Sequence, residues 1–371
     1  MLVMSVARTN WWTKFLDRAQ SWLIASAATH ERIFTLQCEP SWRCNLRCRH
    51  CYLGDGPPRA VEELGPEQWR RILLQFAELT TLLATRSHVA LAGGEPLLLP
   101  WFERFLNLAQ ELVPSCELSV LSNGTLLDEQ RARLLHQHRA TVQLSLDGWD
   151  EPSHDRVRGA GSFQATCRGA SILRMHKVPF SLQCTLSHHN ADGIEAMFLL
   201  ARRLGARSMD FCRLIPSGRA SGPAADPACT PLHGEALRRA YCAILEASNR
   251  IGLTTNRGLP LMHLLEPKAG GQFGQGFYGL TVQPDGGLRP TSRLGLVLGN
   301  IFEHDLRSLY FSPEFEALRT EPVDACRQCS TYSRCAGGDQ NAAYAEHGHF
   351  HAKDPGCWSE TDPQQRQGVG S

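Results

Sequence analysis

The sequence has almost no net charge and no long apolar run, and each absence excludes a class of partner. Lysine and arginine together number 38 against 37 aspartate and glutamate residues, which leaves a formal net charge of +1. Nucleic acids and anionic membrane surfaces attract strongly basic proteins, so neither is an expected partner. No stretch approaches the roughly 18–20 uninterrupted apolar residues that a membrane-spanning helix requires.

Residues 1–32 also lack the pattern of an export signal. Lys14, Asp17 and Arg18 interrupt the apolar stretch, and no small-residue cleavage site follows a long apolar core. A cytoplasmic location is therefore expected. In a reducing cytoplasm the 14 cysteines of the chain favour metal or redox chemistry over disulfide bonds.

Short apolar runs alternate with helical patterns along much of the chain. This alternation indicates right-handed strand–helix–strand units around a parallel sheet. Six such units are too few for a complete eight-stranded barrel, so the predicted fold class is α/β, a partial (β/α)6 TIM-like barrel. The strands are predicted at 33–38, 88–92, 117–121, 142–146, 180–186 and 209–215. The helices are predicted at 66–84, 101–113, 128–136, 163–176 and 191–204.

Changes in composition divide the chain further. Aromatic residues at helical spacing between Trp11 and Trp22 predict an amphipathic helix, which packs on the protein's own body or docks a partner. A linker composition marks 217–230, and Pro284-Asp285-Gly286 predicts a hairpin in the C-terminal part. The predicted segments are an N-terminal amphipathic segment at 1–31, the barrel at 32–222, a C-terminal region at 223–360 and a polar tail at 361–371.

Cys44, Cys48 and Cys51 place three thiols on one short loop directly after the first predicted strand. Iron–sulfur clusters are held by such thiolates, and three ligands on four irons leave one iron open to another molecule. Zinc is the competing interpretation, although zinc sites usually combine paired Cys-x-x-Cys units. His50 is then a candidate for the fourth zinc ligand.

The spacing Cys-x3-Cys-x2-Cys followed by Tyr52 resembles the signature of the radical S-adenosylmethionine (SAM) superfamily. Motifs similar to those of that family follow in order after the next strands, over about residues 33–220. The resemblance implies a [4Fe–4S] cluster on Cys44, Cys48 and Cys51, with SAM bound at its open iron. The SAM-binding residues that it implies are Tyr52, Gly93, Gly94, Glu95, Pro96, Ser122, Asn123, Ser145, Asp147, Arg158 and Leu214.

Each of these motifs has an implied role. In the Gly-Gly-Glu-Pro motif, Glu95 would be the anionic partner of the methionine ammonium group. The Ser-Asn and Ser-Leu-Asp motifs suit the ribose hydroxyls and the methionine carboxylate, and Arg158 best matches an arginine that pairs with that carboxylate. The segment at 214–220 resembles the one that closes over adenine.

Four more cysteines resemble the C-terminal "SPASM" region of many radical SAM enzymes. That region can hold two auxiliary clusters, but here Pro290-Thr291-Ser292 and Asp339 stand where further cysteines are expected. The resemblance therefore implies one auxiliary [4Fe–4S] cluster, with zinc as the alternative. Asp339 is expected at the surface rather than as a weak cluster ligand, and the histidines at 347, 349 and 351 are expected to face solvent rather than bind a metal adventitiously. The four cysteines are Cys326, Cys329, Cys335 and Cys357.

The other cysteines are expected to be structural, because free cysteine is commonly a small buried hydrophobe. Three of them lie on predicted strands or near the expected barrel mouth. One of these could donate a hydrogen atom to a product radical, provided that it is exposed at the site. They are Cys184, Cys212 and Cys229.

The resemblance implies an oxidoreductase that cleaves SAM reductively to a 5′-deoxyadenosyl radical and abstracts a hydrogen atom from its substrate. An external reductant of the flavodoxin or ferredoxin type would supply the electron. The favoured substrate is a ribosomally made peptide, which would receive a crosslink or another C–H modification. Only 43 residues precede Cys44, too few for the usual winged-helix leader-binding domain, so either the Trp-rich N-terminal helix or a separate leader-peptide-binding protein would take its place.

Other substrates remain open from the sequence. One is a tetrapyrrole side chain, as in alternative haem biosynthesis, and another is a small natural-product intermediate that is oxidised or epimerised. An iron–sulfur scaffold or electron carrier would not account for the SAM motifs. The sequence therefore predicts a radical SAM maturase with an unidentified substrate.

Overall fold

The structure, a computed structural model, describes residues 33–56, 61–223, 225–269 and 279–359. The amphipathic segment predicted at 1–31 and the polar tail predicted at 361–371 lie outside these ranges. None of the described helices is long and apolar enough to cross a membrane.

Within the described ranges, nine strands form one sheet in the order β6-β5-β4-β3-β2-β1-β7-β8-β9. Neighbouring strands from β6 to β7 pair in parallel, and β8 and β9 are antiparallel. The predicted α/β class is confirmed. The strands are β1 (Ile33–Cys38), β2 (Arg86–Leu91), β3 (Glu117–Ser122), β4 (Thr141–Ser145), β5 (Phe180–Leu186), β6 (Met209–Arg213), β7 (Gly279–Val282), β8 (Gly287–Arg289) and β9 (Gly299–Asn300).

The helices predicted between these strands are present, with ends that differ by at most three residues. Several short helices were not predicted, because they carry few apolar residues or span only one or two turns. The helices are α1 (Pro66–Leu82), α2 (Phe102–Leu112), α3 (Glu129–Gln137), α4 (Glu151–Arg158), α5 (Ser162–Met175), α6 (Ile194–Leu204), α7 (Gly234–Ile251), α8 (Leu306–Tyr310), α9 (Pro313–Thr320), α10 (Tyr332–Cys335) and α11 (Gln340–His347).

The hairpin predicted around Pro284-Asp285-Gly286 is confirmed as β7 and β8. The sequence did not indicate where it would pair. β7 adds to β1 in parallel, with Leu36 opposite Leu280, so the sheet of the barrel continues into the C-terminal region. The division predicted between residues 222 and 223 stays a prediction.

Side chains alternate strictly between the two faces of the sheet. On β1, Phe34 and Leu36 are buried in the core that the helices cover, whereas Thr35 and Gln37 on the other face are only half-buried. The same alternation runs through β4, β5 and β6. Parallel sheets are usually buried and apolar on both faces, so this second face, called the polar face below, is unusual.

The C-terminal region packs against the barrel through aromatic side chains. The Phe34 ring lies edge-on to Tyr310 of α8, with 5.3 Å between the ring centroids, and 6.2 Å from Phe76 of α1. The guanidinium of Arg319 lies 4.4 Å from the centroid of the Tyr310 ring, a cation–π contact. Phe34 therefore connects strand, helix and C-terminal region in one core.

We expect Phe34→Ala to lower the free energy of unfolding by about 3–5 kcal/mol, because it leaves a cavity beside the Phe76 and Tyr310 rings. Urea denaturation followed by circular dichroism measures the change. Met175→Ala, at a side chain that is 66% exposed, is the control. Equal unfolding midpoints for the two variants would contradict this account of the core.

Candidate active site

The loop that carries Cys44, Cys48 and Cys51 follows β1. The residues directly after β2 hydrogen-bond to the first part of this loop. The Gly94 amide donates to the Ser41 carbonyl at 2.9 Å, and the Glu95 amide donates to the Arg43 carbonyl at 2.8 Å. A Cβ atom on Gly94 would lie 2.1 Å from the Arg43 carbonyl oxygen. Only glycine permits this close approach, which gives the Gly-Gly pair a structural role beneath the loop.

The segment after β6 holds the same loop from the other side. The Arg219 amide donates to the Cys51 carbonyl at 3.0 Å, and Arg219 Nε donates to the Cys48 carbonyl at 2.9 Å. Gly218 has a φ of +55°, and a Cβ there would lie 2.2 Å from the Cys51 carbonyl oxygen. The sequence placed this segment over adenine but did not indicate that Arg219 anchors the cysteine loop.

Glu95 is buried and already hydrogen-bonded. Its Oε1 accepts from Ser122 Oγ at 2.8 Å and from the Leu97 amide at 3.1 Å, and its Oε2 accepts from the Asn123 amide at 2.8 Å. Burial raises the pKa of this carboxyl. Glu95 therefore joins the ends of β2 and β3, and Pro96 starts a short 3-10 helix beside it. Its pairing with an ammonium group stays a prediction.

Asp147 and Arg158 are paired with each other. Arg158 Nε lies 2.5 Å from Asp147 Oδ2, and the Thr185 amide donates to Oδ1 at 2.8 Å. His50 Nε2 lies 3.2 Å from Oδ2. Burial by itself raises the pKa of the Asp147 carboxyl, but the Arg158 guanidinium, His50, His154 and the Thr185 amide together outweigh it and hold that pKa at about 2. The side chain of Asp147 is fully buried, so its role at this site is to fix the position of the Arg158 guanidinium.

Two N–H donors face the sulfur atoms of the loop. Arg158 Nη1 lies 3.9 Å from Cys48 Sγ, and Asn123 Nδ2 lies 3.9 Å from Cys44 Sγ. Burial raises the pKa of the Cys48 thiol to about 11, and the Arg158 guanidinium opposes this by stabilising the anionic sulfur, the form that binds metals. Three thiols on one loop with N–H donors toward two of them fit the ligands of an iron–sulfur cluster.

Tyr52 contacts Glu39, a residue that the sequence analysis did not identify. Its hydroxyl donates to Glu39 Oε1 at 2.7 Å, and Gln37 Nε2 donates to the same oxygen at 2.8 Å. Glu39 is fully buried, and burial raises the pKa of its carboxyl. An acidic residue directly after an apolar strand was the available signal. Glu39 attaches the end of the cysteine loop to β1.

The remaining predicted contacts lie at the same edge of the sheet. Ser145 is half-buried on the polar face at the end of β4. Leu214, directly after β6, is buried in a small cluster with Val157 and Ala220. The structure thus brings the predicted SAM-binding residues to the carboxyl ends of the strands, and their contacts with SAM stay predictions.

The three candidate hydrogen donors lie in different surroundings. Cys184 is fully buried on the helix-covered face, and Asn190 Nδ2 lies 3.2 Å from its sulfur. Cys229 is buried beside Leu214, and burial raises the pKa of its thiol to about 11. Cys212 is half-buried on the polar face, where its sulfur lies 3.7 Å from Thr185 Oγ1. Of the three, Cys212 alone lies on the polar face.

The four C-terminal cysteines come together in the structure. All four thiols line one small pocket, whose wall also includes Leu264 and Lys353. Burial raises the pKa of the Cys335 thiol to about 12, and the neighbouring Cys357 adds to the shift. In the described part of the chain, no three His, Cys, Asp or Glu side chains converge on one point that could hold a single ion. Four thiols around one pocket are a ligand set that suits an iron–sulfur cluster or zinc.

Asp339 is not on the surface, so that prediction is wrong. Its side chain is fully buried, caps α11 by accepting from the Asn341 amide at 3.0 Å, and lies 3.7 Å from Arg293. His347 and His349 are exposed as expected, whereas His351 is half-buried and lies 3.2 Å from Glu321. Asp339 thus takes a structural role at a position where the related pattern has a cysteine.

Asp147→Asn keeps the shape of the side chain but leaves the Arg158 guanidinium buried without its counter-charge. Breaking a buried ion pair costs about 3–5 kcal/mol of unfolding free energy, which urea denaturation at neutral pH measures. The folded-state pKa of Asp147 lies below its unfolded value of about 3.9. The wild-type advantage is therefore present above about pH 4 and is lost as the pH falls toward about 2.

Asp192→Asn, at an exposed carboxylate, is the control for this variant and should change stability by no more than about 0.5 kcal/mol. An Asp147→Asn variant as stable as this control at neutral pH would show that the pair does not hold Arg158.

Comparisons with known proteins agree with this geometry. The sequence model of the Radical SAM superfamily matches residues 39–201. The chain is 26% identical over 336 residues to the AdoMet-dependent heme synthase of Methanosarcina barkeri, covering 85% of this chain and 93% of that protein. It is 27% identical over 333 residues to the PqqA peptide cyclase of Gluconobacter oxydans, covering 87% of this chain and 90% of that protein.

Solved structures share the fold. Native anSMEcpe with bound AdoMet superimposes with a TM-score of 0.69 at 19% identity, over 88% of this chain and 94% of that one. Streptococcus suis SuiB bound to its precursor peptide SuiA superimposes with a TM-score of 0.68 at 15% identity, over 95% of this chain and 82% of that one. With the cysteine motif, its supporting loops and the sheet in agreement, residues 39–201 form a radical SAM domain, and the protein is an enzyme.

Proposed function

We propose that this enzyme modifies a ribosomally made peptide by abstracting a hydrogen atom from it. The observation that carries the proposal is the chemistry of the polar face. Gln143 lies opposite Ser181, and Ser145 lies opposite Gln183, all half-buried. Amide and hydroxyl groups both donate and accept hydrogen bonds, as the backbone of an extended peptide requires.

A tetrapyrrole would need a different surface. Its flat apolar ring and carboxylate groups favour apolar walls with cations, especially arginine. Along β3 to β6, the described polar face presents no Lys, Arg or His side chain. Asp210, which is half-buried on this face, would repel carboxylates. This part of the face therefore supports a peptide over a tetrapyrrole, and the cations of the same face lie beyond it, His88 on β2 and Arg289 on β8.

The comparisons support both substrate classes to different degrees. Besides the PqqA peptide cyclase, the subtilosin biosynthesis protein AlbA of Bacillus subtilis is 26% identical over 80% of this chain. The heme synthase of M. barkeri favours the tetrapyrrole alternative. The reaction product distinguishes the two substrate classes. Incubation with candidate precursor peptides encoded beside the gene should give a mass change in a peptide. A mass change in a tetrapyrrole carboxylate, with none in any peptide, would reverse the assignment.

Cys44, Cys48 and Cys51 would hold the first [4Fe–4S] cluster. When bound, that cluster and SAM supply the 5′-deoxyadenosyl radical that abstracts the hydrogen atom. Arg219 and Gly218 hold the loop in position, and Asp147 directs Arg158 toward Cys48 and the methionine carboxylate of SAM.

The four C-terminal cysteines would hold one auxiliary [4Fe–4S] cluster, which accepts or relays an electron. A reductant of the flavodoxin or ferredoxin type would reduce the enzyme, and either the N-terminal segment or a separate protein would bind the leader of the substrate peptide. The gathering of the four thiols around one pocket supports the auxiliary site.

Reconstituted wild-type enzyme should contain about eight irons per chain, four for each cluster. Replacing Cys44, Cys48 and Cys51 with Ala should leave about four irons and abolish SAM cleavage, because these thiols hold the cluster that binds SAM. Iron analysis and chromatography of 5′-deoxyadenosine measure both effects. Cys167→Ala, at a cysteine outside both sites, is the control. SAM cleavage by the triple variant would refute the assignment.

Replacing Cys326 and Cys329 with Ala tests the auxiliary site. If this site handles the electron released by the substrate, deoxyadenosine should still form while modified product is lost. The two compounds are measured in parallel, and circular dichroism verifies folding. A folded variant that still makes full product would eliminate the electron-transfer role, and loss of both activities with the fold would indicate a structural metal.

A further inference from the structure

A buried ion pair that the sequence did not predict joins the C-terminal region to β6. Arg213 Nη1 lies 2.6 Å from Asp354 Oδ2, and Arg213 Nη2 lies 2.9 Å from Oδ1. The side chains are 6% and 0% exposed. Such a two-point contact fixes the angle as well as the distance between the two groups.

Asp354 also holds both ends of the segment that carries the last two C-terminal thiols. Its Oδ2 accepts from the Asp339 amide at 2.7 Å, four residues after Cys335. Its Oδ1 accepts from the Gly356 amide at 2.7 Å, and the amide of Cys357 donates to the Asp354 carbonyl at 3.0 Å. One carboxylate therefore receives four N–H groups, two from Arg213 and two from the backbone beside the thiols.

The backbone is packed closely around this pair. Gly338 has a φ of +92°, and a Cβ there would lie 2.4 Å from the Cβ of Asp354. A Cβ on Gly356 would lie 2.4 Å from Arg213 Nη2. Both glycines are needed for the chain to approach the pair, so the arrangement leaves little freedom for the thiols on either side.

Stability alone is a weak reason for such a pair, because desolvation offsets much of its attraction and apolar residues of similar volume serve as well. The pair instead fixes the orientation of the segments that it joins. We propose that Arg213 and Asp354 are positioning residues for the four-thiol site, fixing Cys335 and Cys357 relative to each other and to β6. This inference rests on the auxiliary cluster proposed above.

Asp354→Asn and Arg213→Lys separate the two roles of the pair. The asparagine keeps the shape of the side chain but loses one acceptor oxygen and the charge. The lysine keeps the charge but makes a single contact in place of the two-point one. Glu266→Gln is the control, because Glu266 pairs with Arg257, whose Nη1 lies 2.7 and 2.8 Å from its two oxygens, and neither residue lines the four-thiol pocket.

Iron content, electron paramagnetic resonance and redox titration of the reconstituted holoenzymes give the readouts. Asp354→Asn should lose about half of the iron and the auxiliary signal, and the signal of the first cluster that responds to SAM serves as the internal reference. Arg213→Lys should keep its iron but change the auxiliary spectrum and its reduction midpoint, which a purely structural role would not move. Glu266→Gln should match wild type in both.

A folded Asp354→Asn variant with full iron and a wild-type auxiliary spectrum would overturn the inference. If that variant does not fold, Arg213→Lys decides, because an auxiliary spectrum and midpoint equal to wild type would overturn it as well. Wild-type enzyme with only about four irons would instead refute the proposed auxiliary cluster itself. The two failures are therefore distinguishable.

Discussion

The cysteine loop depends on hydrogen bonds that it cannot make within itself. Backbone amides and carbonyls need partners when they leave regular structure, and here the ends of other strands supply them. Gly94 and Glu95 bond to the start of the loop, and Arg219 bonds to its end. Three segments far apart in sequence must therefore be in place before the thiols have a fixed geometry.

A buried ion pair lies at each of the two cysteine sites. Asp147 holds Arg158 beside Cys48, and Asp354 receives Arg213 next to the C-terminal thiols. An isolated buried charge is expensive, so each group requires the other. The guanidinium groups consequently keep fixed directions, which is what ligands and cofactors of defined shape require.

The polar face explains how one fold provides both a stable core and a substrate surface. Apolar residues such as Leu144 and Leu182 face the helices and supply the core, while their neighbours Gln143 and Gln183 face the other way. Because the period of a strand is two residues, the register of the parallel strands aligns these amides into one surface. The sheet therefore stabilises the protein on one side and offers hydrogen bonds on the other.

The sequence by itself determined the strand–helix alternation, the hairpin and the positions of both cysteine sets, because these depend on patterns within a few residues. It did not predict that Asp339 is buried, because only the folded chain brings Arg293 and α11 next to this side chain. Arg213 and Asp354, 141 residues apart, carry no local signal either. Only the tertiary structure decided such pairs, since burial and the direction of a side chain arise when distant segments pack together.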